Sequence, residues 1–230
     1  MSPYEKFIPY NAERLDNPEK RAKEFYQRMN QRRSVRKFSD EDVPRSVIEH
    51  AILTAGTAPN GAHMQPWHFV AVRSKDLKSQ IRVAAEQEES LNYNGRLPPS
   101  WLKALERLGT DENKGYLEVA PWLIIVFAKM FHWEEGGDVP AHDNDPKVNH
   151  YYVQESVGIA VGMLISALHN AGLATLTHTP SPMRFLHKIL GRHANEKPFV
   201  LLPVGYPAAD AKVPNITRDP IEKVSTFFDG

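Results

Sequence analysis

The chain contains no cysteine, which excludes disulfide frameworks, thiolate metal sites and cysteine nucleophiles. It has no excess of either charge, since Lys+Arg and Asp+Glu both total 28. That balance argues against a nucleic-acid surface or an acidic-membrane binder. No apolar run reaches membrane-spanning length, and the start Met1-Ser2-Pro3-Tyr4 has no signal-peptide pattern. The expectation is a cytoplasmic protein that engages neither membrane nor nucleic acid. Glycine-rich phosphate loops are missing: there is neither Gly-x-Gly-x-x-Gly nor Gly-x-x-x-x-Gly-Lys. A nucleotide phosphate bound here must be held by side chains. There is also no Gly-x-Ser-x-Gly elbow and no His-Glu-x-x-His pair.

What is present is an ordinary globular composition, 41% hydrophobic and 24% charged over 230 residues. This suffices for one domain with a sizeable core. The pattern alternates helices and strands without internal repeats. Residues 18–32 place Ala22, Phe25, Tyr26 and Met29 at helical spacing. A second helix is expected to start within 40–44, with Val47, Ile48, Ala51, Ile52 and Ala55 as its buried stripe and a break at 56–61. Residues 67–72 read as a strand, 76–90 and 101–116 as helices, and 122–128 as a central strand apolar on both faces. Residues 133–148 are polar and Gly/Asp-rich, so they read as a surface loop. Residues 151–171 are apolar nearly all round, the mark of a buried helix or a subunit interface. Short strands at 173–177 and 199–204 precede a polar, extended tail from about 208.

The richest local signal is Arg32-Arg33-Ser34-Val35-Arg36. Guanidinium groups present planar forks of donors that fit phosphate oxygens. Read alone, the pentapeptide fits equally a phosphate clamp and a solvated helix end, where cations favour the negative end of the dipole. Glu89 and Tyr93 lie four residues apart, on one face of a helix. With Lys114 they offer a carboxylate for an ammonium, and an amine and phenol for a carboxylate. His142-Asp143-Asn144-Asp145 and His150 include metal-ligand types, but in such a loop they are more often solvated surface, and no metal site is expected. Trp67, Trp101, Trp122 and Trp133 read as core and lid residues rather than a base-stacking platform.

The arginine run, the stretch Gly56-Thr57-Ala58-Pro59-Asn60-Gly61-Ala62-His63-Met64-Gln65-Pro66-Trp67, and Leu202-Pro203-Val204-Gly205-Tyr206-Pro207 together resemble the FMN-dependent nitroreductase superfamily. Within it, Glu89, Tyr93 and Lys114 resemble the substrate lid of the iodotyrosine deiodinases. The resemblance implies an α+β fold with a mixed, mainly antiparallel sheet flanked by helices. It implies a single domain over 1–230, a lid at about 86–116, and an intertwined homodimer with each FMN between subunits.

It also implies roles for single residues. Arg32, Arg33, Ser34, Val35 and Arg36 would grip the FMN phosphate, joined by Arg218 from the tail. Asn60 stands where the family has a flavin-contacting Ser, which points to its backbone. Thr177, His178 and Thr179 match a three-threonine stretch beside the flavin, with the Thr179 hydroxyl at flavin N5; His178 departs from that pattern. The Ala62 N–H would bond a substrate phenolate, and Glu89, Tyr93 and Lys114 the amino-acid end. The implied activity is reductive dehalogenation of halotyrosines in one-electron steps, fed by an unidentified electron donor. Two other readings fit the same sequence: a general NAD(P)H-dependent nitro- or quinone-reductase, and a non-catalytic aromatic-amino-acid or flavin binder.

Overall fold

The computed structural model describes residues 6, 17–106 and 108–229. The chain divides into two compact units, Met1–Arg32 and Arg33–Gly230. In the first, α1 (Pro18–Asn30) starts where the Asn17 side chain accepts the Lys20 N–H at 2.9 Å, with Pro at the first helical position. The helix is amphipathic as its spacing predicts, yet none of its residues is buried in this chain.

The second unit is organised by β2 (Trp122–Lys129), whose residues are buried from Trp122 through Ala128. It pairs antiparallel with β1 (Trp67–Val72) on one side and β6 (Glu196–Gly205) on the other. β5 (Ala174–Thr175) continues the sheet beyond β6, giving the order β1-β2-β6-β5. The Ser34 bridge to Thr175 is parallel and makes the sheet mixed. Side chains alternate across a strand, so β2 feeds two cores. Ile124, Val126 and Ala128 pack with α2 (Arg45–Gly56) and α6 (Val153–Asn170) through Ile48, Ala51, Val157 and Leu164. Leu123, Ile125 and Phe127 pack with Ile81 and Ala85 of α3 (Lys75–Leu91), Leu117 of α5 (Tyr116–Val119) and Leu186 of α7 (Phe185–Leu190). Full burial of each such aliphatic side chain contributes about 1.5–3 kcal/mol.

Three expectations need correction. The second helix begins at Arg45, because Pro44 at its N-cap has an extended ψ of 137°. Residues 101–116 are not one helix. α4 (Pro99–Glu106) stops, Gly109 takes a left-handed φ of +59°, and α5 begins anew at Tyr116. The stretch 133–148 is not simply loop either. β3 (Phe131–Trp133) and β4 (Lys147–Asn149) form a hairpin at its ends. Between them the Asp145 carboxylate accepts the N–H groups of Glu135, Gly136 and Ala141 at 2.9–3.1 Å. A short helix, α8 (Ile221–Val224), interrupts the tail. Among the described residues, no helix is long and apolar enough to cross a membrane.

Candidate active site

The arginine run starts at the end of α1, where the Arg32 N–H donates to the Met29 carbonyl at 3.1 Å, and is extended from Ser34, which bridges to Thr175. The Val35 N–H donates to the Thr175 carbonyl at 3.2 Å, and the Val35 side chain is buried with Phe38 and Ala120. Extended backbone alternates its side chains, which separates the guanidinium groups. Arg33 donates to the Pro214 carbonyl of the tail. Arg36 is directed instead into a cleft of about 680 Å³. It is half-buried there and has no ion-pair partner among the described residues. Thr177, His178 and Thr179 line the same cleft, as do Glu89, Tyr93 and Lys114.

Lys114 has a side chain only 3% exposed, and Glu89 one that is 13% exposed; their charged atoms lie 3.7 Å apart. The Lys114 ammonium also donates to the Asp111 carbonyl and sits 5.7 Å from the centre of the Tyr93 ring. The Lys114 N–H donates to the Glu86 carboxylate at 2.7 Å, which fixes this residue ahead of α5. Burial holds the Lys114 ammonium below its usual pKa, against the pull of Glu89 and Asp111. Burial likewise raises the Glu89 carboxyl, against the pull of Lys114. Both shifts run opposite to what pairing alone would give, so desolvation outweighs attraction at this separation.

His178 is 6% exposed. Its backbone exchanges two hydrogen bonds with Leu201, at 2.9 and 3.0 Å. Its ring meets Tyr116 edge-on, with the phenol oxygen 3.5 Å from Nδ1. Nε2 is buried without a hydrogen-bond partner. Burial, reinforced by Lys114 and Arg36, lowers its pKa to about 3. Burial pushes the Tyr116 phenol well above the usual range. The cleft thus holds three cations, Arg36, Arg96 and Lys114, with one buried carboxylate and a neutral imidazole.

The turn after α3 forms one wall. Asn92 and Arg96 both donate to the Ser181 carbonyl, at 3.5 and 3.4 Å. Arg96 also pairs with Glu88 at 2.7 Å, and the Ser181 N–H returns to the Thr179 carbonyl at 2.7 Å. Trp101 and Leu105, one helical turn apart on α4, add an apolar surface.

Residues 29–206 match the model of the Nitroreductase family. The chain belongs to that family. It is 52% identical to an iodotyrosine deiodinase from Haliscomenobacter hydrossis, over 92% of this chain and 93% of that protein. It is 44% identical to human iodotyrosine deiodinase 1, over 94% of this chain and 73% of that protein. Among solved structures, an oxidized iodotyrosine deiodinase bound to FMN and 3-iodo-L-tyrosine superposes with a TM-score of 0.73 at 30% identity. That match covers 88% of this chain and all of the other.

Of the candidate residues of this nitroreductase-family chain, Arg32, Arg33, Ser34, Val35, Asn60, Ala62 and Arg218 lie outside the cleft lining. The Asn60 side chain closes its own loop, accepting the Gln65 N–H at 2.7 Å and donating to the Ala58 carbonyl at 3.2 Å. Ala62, His63 and Gln65 all take positive φ, at 49°, 55° and 47°. Such conformations cost of order 1–3 kcal/mol each in non-glycine residues and persist where surrounding structure imposes them. Gly61 allows the loop to approach α6; a Cβ there would meet the Tyr151 carbonyl at 2.8 Å. The loop's described hydrogen bonds engage the N–H groups of Gly61, His63, Met64 and Gln65. The Ala62 N–H takes part in none of them, and the residue is exposed. Arg218 is an exposed tail residue. His142 pairs with Glu135 at 3.3 Å, and His150 with His132 at 2.9 Å. Among the described residues, no group of three potential ligands is placed to hold a metal ion.

Sequence reasoning missed Asn92, Arg96, Tyr116 and Ser181. The Trp101/Leu105 spacing was the one visible sign of the apolar wall.

The His178 environment sets a pH dependence. Its folded pKa of about 3 lies below the ordinary 6.5, so the unfolded chain binds the extra proton between those values. Its contribution to stability is full above pH 6.5 and is lost as the pH falls toward 3. In urea unfolding at pH 7 and pH 5, wild type should lose about 2 kcal/mol more than His178→Thr. An equal pH response in the two proteins would contradict the buried neutral imidazole.

Proposed function

We propose that this chain is an FMN-dependent oxidoreductase that removes halide from halotyrosines, releasing tyrosine from iodotyrosine. The observation that carries this reading is the convergence of Glu89, Tyr93 and Lys114 on the same cleft as Arg36 and Thr177–Thr179. A general nitroaromatic or quinone reductase has no need of a buried carboxylate–ammonium pair.

The residues present fit FMN. Arg36 is a half-buried cation without an ion-pair partner among the described residues, suited to a phosphate oxygen. Arg32, Arg33, Ser34, Val35 and Arg218 are assigned to the same phosphate end by family pattern, with Arg33 engaged to the tail as described. Thr177 and Thr179 offer exposed hydroxyls, and Thr179 is assigned to flavin N5. When bound, FMN supplies the two electrons that, with one proton, convert carbon–iodine to carbon–hydrogen plus iodide.

The chain's own residues orient the substrate. Glu89 receives the α-ammonium, and Lys114 with the Tyr93 phenol receives the α-carboxylate. The segment 86–116 closes as a lid, with Trp101 and Leu105 excluding water from the ring. A free backbone N–H such as that of Ala62 is suited to a phenolate oxygen, whatever the side chain.

Ala62 lies outside the cleft lining of this chain. We therefore assign it to the site of a second copy, in a homodimer. Support comes from apolar side chains left uncovered in the single chain, among them Leu53 of α2 and Ile159 of α6 at 66% and 46% exposure, and Phe227 and Phe228 of the tail at 71% and 94%. Catalysis in a soluble compartment and an external electron donor complete the proposal.

The decisive experiment reduces the FMN-loaded protein anaerobically and adds excess 3-iodotyrosine. Stoichiometric iodide and tyrosine should appear as the flavin reoxidises. Reoxidation by nitroaromatics but not by iodotyrosine would move the chain to the general reductases, and reoxidation by neither would favour a binding protein. Arg36→Met should weaken FMN binding about 10–100-fold in a fluorescence titration; unchanged affinity would remove Arg36 from the phosphate site. Sedimentation should give twice the 26.1 kDa chain mass, and a single-chain mass under assay conditions would rule out the shared site.

A further inference from the structure

The loop that carries Ala62 holds three non-glycine residues at positive φ, so contacts from outside it must keep its shape. Its two ends are gripped separately. At the start, the Gly61 N–H donates to the Ser156 hydroxyl at 3.4 Å, and that hydroxyl donates to the Tyr152 carbonyl at 2.6 Å. Gly61 also lies against the Tyr151 carbonyl. At the end, the Pro66 carbonyl accepts the Lys129 N–H at 3.0 Å. His150 joins the two grips. It directly precedes Tyr151. Its backbone N–H donates to the Met130 carbonyl at 3.0 Å, and its ring Nδ1 lies 2.9 Å from the Lys129 carbonyl. A carbonyl only accepts, so Nδ1 carries the ring proton. Nε2 is then an acceptor and takes the Nδ1–H of His132 at 2.9 Å.

We infer that His150 is a positioning residue for the Ala62 loop, and that its bond with His132 makes the shape of the loop sensitive to acid. The circuit runs from Gly61 through Tyr151 to His150, across to Lys129, and back through Pro66. Removing the His150 ring cuts the tie between the two grips and leaves the Lys129 carbonyl without its donor. The consequence for substrate rests on the reading of the Ala62 N–H as a phenolate donor; the hold on the loop does not. The groups facing the His150 ring are His132 on β3, Lys129 on β2 and Asp138 between β3 and β4. The Lys129 ammonium is matched by the Asp138 carboxylate at 2.7 and 2.8 Å, which leaves the histidine pair to titrate. One added proton does no harm, because on the outer nitrogen of His132 it leaves the His132 Nδ1–H donating. A second must go onto His150 Nε2, the lone pair that accepts from His132, and it sets two cations against each other. Burial, reinforced by His132 and the Lys129 ammonium, keeps His150 below its ordinary 6.5, against the pull of the Lys129 carbonyl and Asp138. The hold on the loop is therefore full above pH 6.5 and is lost as the pH falls through the lowered value.

The test is amide hydrogen exchange over residues 58–67 of the FMN-loaded protein. Rates are read as the ratio of variant to wild type at each pH, so that the intrinsic pH dependence of exchange cancels. His150→Ala removes the donor and should speed exchange there about tenfold at pH 8, while residues 86–96 keep their wild-type rate. His150→Asn keeps a donor at the Nδ1 position and has no proton to gain. It should stay within about twofold of wild type at pH 8 and exchange at least about threefold more slowly than wild type at pH 4.5. Equal exchange in wild type and His150→Ala, or parallel responses of wild type and His150→Asn to acid, overturns the positioning role. If His150→Ala does not fold, the comparison with His150→Asn decides alone. A binding arm carries the substrate consequence, with oxidised protein in which no turnover occurs. His150→Ala should weaken 3-iodotyrosine about tenfold at pH 8 and leave 3-iodophenylalanine, which lacks the phenol oxygen, within about twofold of wild type. Faster exchange with undiminished iodotyrosine binding would keep His150 as the holder of the loop and remove Ala62 from the substrate site.

Discussion

A strand buried in all but its last residue must have neighbours on both edges and cover on both faces, and β2 imposes this requirement on the rest of the second unit. Its edges are met by β1 and β6. Its faces are met by two unlike sets of helices. One face takes α2 and α6, whose contact residues are largely aliphatic. The other takes α3, α5 and α7. The cleft belongs to the second set: Glu89 ends α3, Tyr116 starts α5, and the 176–182 segment leads into α7. Glu89 and Tyr116 thus stand on helices pinned by Leu123, Ile125 and Phe127.

The legible parts of the fold were those whose cause is local. The β1 expectation of 67–72 matches its observed limits, because aromatic and β-branched residues there are bounded by breaking signals on both sides. β2 showed itself as an apolar run without alternation, as burial on both faces requires. The misses have distant causes. Nothing near Asp145 announces that its carboxylate gathers three backbone N–H groups, the farthest from Glu135. The helical pattern read over 101–116 carries past Glu106, where α4 ends. The arginine run also allowed a helix-end reading, because the backbone pairing of Ser34 and Val35 depends on Thr175, far along the chain.

The same division holds for the site. Glu89, Tyr93 and Lys114 could be grouped from the sequence by family pattern, and they share one cleft. Their mutual distance and burial, which give them their electrostatic character, could not. His178 illustrates the gap. In the sequence it is only a departure from a threonine stretch. In the fold it is a buried, neutral ring against Tyr116, held from protonation by burial and by two cations. Asn60 shows the reverse: a polar residue in a motif whose side chain is spent on its own loop.

The Ser181 carbonyl carries a consequence for motion. It accepts from Asn92 and Arg96 in the turn that forms one wall of the cleft, and the Ser181 N–H is bound to Thr179 on another. Any movement that lifts the turn withdraws both donors from one oxygen together. Ser181 therefore links the two walls, so the freedom of one bears on that of the other. A local opening in this region would engage two segments far apart in sequence, joined by a pair of long hydrogen bonds.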